Sequence, residues 1–388
     1  MESPAVTIGQ HGIERILSGH PWIYRTDLAA TPTAGPGAVV RVVDRKKRFW
    51  GQALYSSKSQ IALRMLTRES RAFDRSFLAD RIAAAQTFRK QVAEGAMAYR
   101  LVSGEGDQLP SLIIDRYGDS LVLQTLSQGM EILKPAIVEI LQEQFSPRSI
   151  LERNDVPVRE LEGLPELKGI LAGEMTTEVE LEENGVRFRF DLLDGQKTGG
   201  FLDQRENRIA ARPYACGRCL DCFTYTGGFA LALAGRCETV LAVDSSVEAI
   251  KQARANQELN AMTNVEFKEA NCFDFLKASD QAGERFDTVV LDPPPFARHK
   301  SNLDSALRGY KELNLRALKM LNPGGYLITC SCSFHVGEAD LLDAIAAAAL
   351  DAHRIVSVVE RRTQSRDHPI LLTVPETHYL KCLILRVV

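Results

Sequence analysis

From Arg218 onward, short apolar runs alternate with amphipathic stretches along the chain. The runs are residues 219–223, 240–243, 265–267, 288–291 and 326–329, and the stretches between them include 247–259 and 303–321. Runs that lack polar alternation fit strands covered on both faces, and their succession with helical segments predicts an α/β fold built on a doubly wound parallel sheet. A further run, 379–388, predicts a last strand at or near the sheet's edge.

The earlier part of the chain reads differently. Residues 38–43 and 60–66 have β-type patterning, separated by Gly35-Pro36-Gly37 and by a basic turn, Arg45-Lys46-Lys47-Arg48, which predicts a small β-barrel-like module. Residues 74–92 place Phe77, Leu78, Ile82, Ala85 and Phe88 at helical spacing. Strands are then expected at 112–115 and 121–125 and a helix at 132–144, followed by a hairpin of 178–182 with 186–190. Asn184-Gly185 between the last two is a strong turn signal, because both central residues of the favoured hairpin turn need positive φ. Three domains are expected: 1–70, a mixed α+β unit at 71–185, and 186–388.

Composition adds bounds. With 45% hydrophobic and 25% charged residues among 388, the chain has ordinary globular composition, which excludes disordered and collagen-like classes. No uninterrupted apolar run approaches a membrane span, and no basic segment followed by an apolar run opens the chain, so a soluble cytoplasmic protein with no membrane partner is expected. Eight cysteines without framework spacing fit free thiols in a reducing compartment. The net charge of −3 argues against a protein that coats nucleic acid by bulk charge, but the three segments carry +5, −8 and 0. The first segment therefore keeps a local basic character suited to phosphate contacts.

In a doubly wound sheet, ligands bind beyond the carboxyl ends of the strands, where the strand order reverses. The loop after the first strand contains Phe223, Thr224, Gly227 and Gly228, and the second strand ends at Asp244, suitably placed for ribose hydroxyls. The loop lacks the Gly-x-Gly-x-x-Gly fingerprint of a pyrophosphate site, which favours an adenosine ligand such as S-adenosylmethionine over NAD. After the fourth strand stands Asp292-Pro293-Pro294-Pro295-Phe296, a rigid segment offering carbonyls, a carboxylate and an aromatic face to a flat base. Cys332 follows the fifth strand and is expected at the mouth of the site. The spacing Cys216-x-x-Cys219-x-x-Cys222 invites a metal cluster, but strand alternation would send Cys219 and Cys222 to opposite faces, so no metal site is expected.

Taken together, Lys197-Thr198-Gly199-Gly200-Phe201-Leu202-Asp203-Gln204-Arg205, the 222–230 loop, Asp292-Pro293-Pro294 and Ser331-Cys332-Ser333 resemble the ribosomal RNA large subunit methyltransferase I family. His20-Pro21-Trp22, His368-Pro369 and Tyr379-Leu380-Lys381 extend the resemblance over nearly the whole chain. It implies an N-terminal PUA domain, an α+β middle domain and a Rossmann-like class I methyltransferase domain that forms 5-methylcytosine in 23S rRNA. Its implied cofactor is S-adenosylmethionine, held by Phe223, Thr224, Gly227, Gly228, Asp244, Asn271 and Asp292. Lys197, Gln204, Arg205, Pro293 and Phe296 are the expected substrate contacts, and Arg208 is a further RNA candidate, although arginines spaced as Arg205 and Arg208 fit helix-surface or acid-paired roles equally well. Asn271 stands where relatives commonly have an acidic residue near the adenine, Pro295 where they often have Lys, and Phe334 where Gly is common. A homodimer is left open.

The implied chemistry uses a thiolate. Cytosine C5 is a poor nucleophile until sulfur adds at C6, and Cys332 is expected to make that adduct, with Asp292 binding or protonating N3. Two rivals stay open: a guanine or exocyclic-amine N-methyltransferase, which has no use for a thiol, and a non-catalytic RNA-binding assembly factor.

Overall fold

The computed structural model describes residues 3–297 and 300–388. The chain divides into two compact units. The first comprises Met1–Leu181, Phe190–Leu202 and Arg366–Thr377, and the second Glu182–Arg189, Asp203–Ser365 and His378–Val388.

The first unit opens with β1 (Ala5–Thr7), α1 (Gln10–Leu17), β2 (Trp22–Tyr24), β3 (Val39–Val43), β4 (Phe49–Tyr55) and β5 (Ile61–Thr67), in sheet order β1-β3-β4-β5-β2. Val6, Ile8, Ile23, Val40, Val42 and Leu63 fill its core. Strand β4, which the apolar pattern does not announce, is broken by Gly51 at φ 144° and by a register shift at Gln52/Ala53. The basic turn is tied down by Asp44, whose Oδ1 accepts from the Lys46 and Arg48 amides at 2.8 and 2.9 Å. Its cationic side chains are exposed.

Next come α2 (Arg75–Val92), β6 (Ala98–Ser103), β7 (Leu112–Tyr117), β8 (Ser120–Thr125), α3 (Gln128–Phe145), β9 (Ser149–Arg153) and β10 (Lys168–Gly173), in the order β10-β9-β8-β7-β6. Asp74 caps α2 by accepting from the Phe77 amide at 3.0 Å, which satisfies one of the helix's orphan donors. The hairpin of β11 (Glu178–Glu183) and β12 (Val186–Asp191) turns at Asn184 and Gly185, with φ of 55° and 83°.

The second unit contains α4 (Arg205–Ala211), β13 (Arg218–Cys222), α5 (Gly228–Ala234), β14 (Thr239–Asp244), α6 (Val247–Leu259), β15 (Val265–Glu269), α7 (Cys272–Gln281) and β16 (Phe286–Leu291). These are followed by α8 (Leu303–Met320), β17 (Leu321–Ser331), α9 (Glu338–Asp351), β18 (Val356–Thr363) and β19 (Lys381–Val387). The sheet order is β15-β14-β13-β16-β17-β19-β18. Strands β13 to β17 are parallel, and β13 pairs with β14 on one side and β16 on the other, so the order reverses there.

The terminal run expected at or near the edge forms β19, which runs antiparallel to both β17 and β18. It lies one place inside the edge, which β18 occupies. The mostly exposed or half-exposed residues of β18, including Glu360, Arg361 and Arg362, hide it from any apolar pattern. Buried Leu220, Val289, Leu291, Tyr310, Leu318 and Leu327 form the core under the site, where each large apolar side chain contributes about 1.5–3 kcal/mol by leaving water. Among the described residues, no helix is long and apolar enough to cross a membrane.

Candidate active site

The loop leaving β13 turns sharply. Phe223, Tyr225 and Gly227 all have left-handed backbones, at φ 65°, 50° and 87°. A non-glycine residue there costs roughly 1–2 kcal/mol, so the surroundings must hold the conformation. The Phe223 amide donates to Cys272 Sγ at 3.3 Å, the Thr224 amide to the Val243 carbonyl at 3.1 Å, and the Tyr225 amide to Asp244 Oδ2 at 2.9 Å. Beneath the loop, Asp221 Oδ2 accepts from the Thr224 hydroxyl at 2.6 Å and from the Ala230 amide at 2.9 Å. Burial pushes the Asp221 carboxyl up to about 7.

The glycines fit this geometry. A Cβ on Gly227 would meet Phe267 Cζ at 3.1 Å, and one on Gly228 would meet Arg208 Nη1 at 3.3 Å. Asp244 also accepts from the Ser246 amide at 2.9 Å through its other oxygen. Each of its oxygens retains a second lone pair for a ribose hydroxyl. The Asn271 oxygen, assigned from sequence to adenine, is engaged as the cap of α7, accepting from the Phe273 and Asp274 amides at 3.0 and 3.3 Å.

Two further loops meet at the carboxyl ends of β16 and β17. Ser333 Oγ accepts from the Phe296 amide at 3.0 Å and the Ala297 amide at 3.3 Å, and lies 3.1 Å from the Tyr310 hydroxyl. Ser331 donates to that same hydroxyl at 2.9 Å. Ser333 thus ties the proline segment to the end of β17, and Ser331 ties that end to α8. Cys332 is half-buried, and its Sγ donates toward the Pro293 carbonyl at 3.6 Å. Cys330 is fully buried, and the Cys382 thiol beside it, together with desolvation, pushes its own thiol up. Phe223, Phe273, Phe296 and Tyr310 form an aromatic row with successive ring centroids 6.3, 5.8 and 4.9 Å apart.

Asp292 is oriented from behind. Gln204 Nε2 donates to its Oδ1 at 2.9 Å, Asn207 Nδ2 donates to Gln204 Oε1 at 2.7 Å, and Arg362 Nε donates to Asn207 Oδ1 at 3.0 Å. Gln204, expected as a substrate contact, is 2% exposed and serves this buried relay. Arg208 takes the acid-paired reading left open for it. It is buried and grips Glu183 through Nε and Nη2 at 2.7 and 2.8 Å, because a guanidinium removed from water needs a carboxylate. Arg205 is likewise buried, 3.7 Å from Glu206. Lys197 belongs to the first unit, where its ammonium sits 4.4 Å from the centre of the Phe201 ring.

Sequence reasoning missed Asn207, Arg362 and Lys381 as parts of this site. Lys381 is 2% exposed, and its Nζ donates to the carbonyls of Ser333 and Tyr379 at 2.8 and 3.0 Å. Burial lowers its ammonium to about 8. A charged residue opening the apolar run of β19 was the available signal. Among the described residues, no group of three potential ligands could hold a metal ion. Cys219 and Cys222 instead lie beside Cys237 and Cys272 respectively.

A profile for S-adenosylmethionine-dependent methyltransferases matches residues 166–386, and one for a PUA-like domain matches residues 6–68. The ribosomal RNA large subunit methyltransferase I of Klebsiella pneumoniae (strain 342) is 41% identical over 393 residues, covering 99% of this chain and 98% of its relative. This chain belongs to the ribosomal RNA large subunit methyltransferase I family. The Photobacterium profundum member is 43% identical, with 93% of this chain and 94% of the relative covered. Among solved structures, a SAM-dependent methyltransferase from Streptococcus mutans gives a TM-score of 0.82 at 20% identity, covering 99% of this chain and 100% of that one. A methyltransferase solved with SAH gives 0.85 at 21% identity, with the same coverage. The fold is that of a Rossmann-like methyltransferase with an N-terminal PUA-like domain, and S-adenosylmethionine is the family's cofactor.

Proposed function

We propose that this protein methylates C5 of a cytosine in 23S rRNA, within the large ribosomal subunit or its precursor in the cytoplasm, using Cys332 as the nucleophile. The observation that carries the reading is the placement of the Cys332 thiol. It is half-buried at the end of β17 and aimed at the Asp292-Pro293-Pro294 segment, whereas Cys330 is sealed inside the sheet. A guanine N-methyltransferase needs a proline-stiffened acidic loop but no thiol there.

The bound cofactor supplies an electrophilic methyl group on a sulfonium. The left-handed loop 223–227, Gly228 and Asp244 suit its methionine and ribose parts, because they combine close backbone approach with acceptors for hydroxyls. Phe223, Phe273 and Phe296 offer apolar faces to flat rings. Asp292, held by Gln204, faces the cytosine and donates or accepts at N3 as charge develops. The Cys332 thiolate forms a bond to C6, C5 takes the methyl group, and a base removes the C5 proton as the C6–S bond breaks. Pro293 and Phe296 line the base. The exposed turn 45–48 of the PUA-like domain supplies phosphate contacts that offset the unstacking cost of a few kcal/mol.

The decisive experiment incubates the protein with labelled S-adenosylmethionine and unmodified rRNA and identifies the methylated nucleoside by mass spectrometry. 5-Methylcytidine is expected, and its formation should vanish in Cys332→Ala while cofactor binding persists. Methylguanosine, or full turnover in Cys332→Ala, would overturn the reading.

A further inference from the structure

A buried ammonium is costly unless a negative charge compensates it, and the effective penalty reaches several kcal/mol. Lys381 is 2% exposed. Among the described residues, no carboxylate lies within 4 Å of its Nζ, which donates to two neutral carbonyls. Those carbonyls alone do not account for a lysine, because a neutral amide would donate to both without carrying charge out of water. The missing negative charge has a source nearby. One of the carbonyls belongs to Ser333, the residue directly after Cys332, and Lys381 is the cross-strand partner of Ser331, the residue directly before it.

We infer that Lys381 is a positioning residue for the proposed nucleophile: its ammonium, fixed beside the end of β17, pairs electrostatically with the Cys332 thiolate and holds that sulfur ionised near neutral pH. The consequence for methyl transfer rests on the reading of Cys332 given above, whereas the ionisation itself does not. Other titratable groups reach the pair from neighbouring elements. Asp292 reaches the sulfur's surroundings from the loop after β16, the Tyr310 phenol comes from α8, and Glu338 and Asp340 act on Lys381 from α9. The acidic groups disfavour a thiolate, and Lys381 on β19 opposes them. Burial draws the lysine down to about 8, and Cys332 is the strongest charge opposing that shift. Each member therefore favours the charged form of the other.

The test is the pH profile of Cys332 alkylation by iodoacetamide in the full-length protein, with the modified cysteine identified by mass spectrometry. In Lys381→Met, Cys332 should alkylate about tenfold more slowly at pH 7, corresponding to a profile displaced upward by one pH unit or more. Lys381→Arg should restore most of the reactivity, which a purely structural staple would not predict if both variants melt at similar temperatures. Linkage also demands the reciprocal effect. In Cys332→Ser, the Lys381 titration followed by the NMR signal of a labelled lysine ε-carbon should move to lower pH, and this holds as a test even if Lys381→Met fails to fold. A wild-type alkylation profile in folded Lys381→Met, or an unmoved lysine titration in Cys332→Ser, overturns the pairing. Methylation that survives Cys332→Ala while alkylation still depends on Lys381 overturns the covalent reading and leaves the pairing standing.

Discussion

Asp221 offers a test of how the loop after β13 is held. Its carboxyl lies 1% exposed under the loop, and one oxygen accepts both the Thr224 hydroxyl and the Ala230 amide. Burial, with Asp292 and Asp244 adding smaller repulsions, raises it from 3.8 to about 7. The folded state therefore binds this proton more tightly than the unfolded chain does. Stability contributed by the protonated form is complete below about pH 4, is lost as pH rises toward 7, and is gone above that. The gap between the two values corresponds to ~4 kcal/mol, lost at about 1.4 kcal/mol per pH unit across that window. Asp221→Asn keeps an oxygen for both donors and removes the titration. The variant should equal or exceed wild type at pH 8, and its advantage should shrink by several kcal/mol toward pH 5. Urea unfolding of both proteins from pH 5 to 8.5 measures this directly, because every other titrating group cancels in the difference. A difference that stays flat with pH would refute the argument.

Gly227→Ala should cost ~1–2 kcal/mol for the left-handed backbone, beyond its 3.1 Å contact with Phe267. Calorimetry should show weaker S-adenosylmethionine binding, and unchanged affinity would exclude the loop from the cofactor site. Arg208→Met leaves Glu183 buried without its partner and should destabilise the protein by about 3–5 kcal/mol. Adding Glu183→Leu should recover most of that loss in denaturant unfolding, and a double variant no better than the single would show that the pair is not the cause.

Much of the architecture was legible because the relevant signals are local. Asn184-Gly185 needs two positive φ angles and turns where expected, and residues 247–259 form α6 with the anticipated limits. What escaped the sequence depends on neighbours that are distant along the chain. Arg205 and Arg208 have the spacing of exposed helix residues, yet both are buried, and Arg208 faces Glu183 from a different element. Gln204 has the look of a ligand contact until Asn207 and Arg362 line up behind it. No periodicity in 356–363 signals a strand, because β18 is a largely solvated edge.

The position of β19 has a consequence for the order of events during synthesis. Both of its partners, β17 and β18, leave the ribosome first, and 50 residues separate Ser331 from Lys381. At roughly 5–20 residues per second, the β17 edge waits some seconds for its permanent neighbour. During that interval it is an open strand edge, the kind of surface that recruits other chains. The same interval keeps Cys332 apart from Lys381, so a nascent chain has not yet assembled the surroundings of its own thiol.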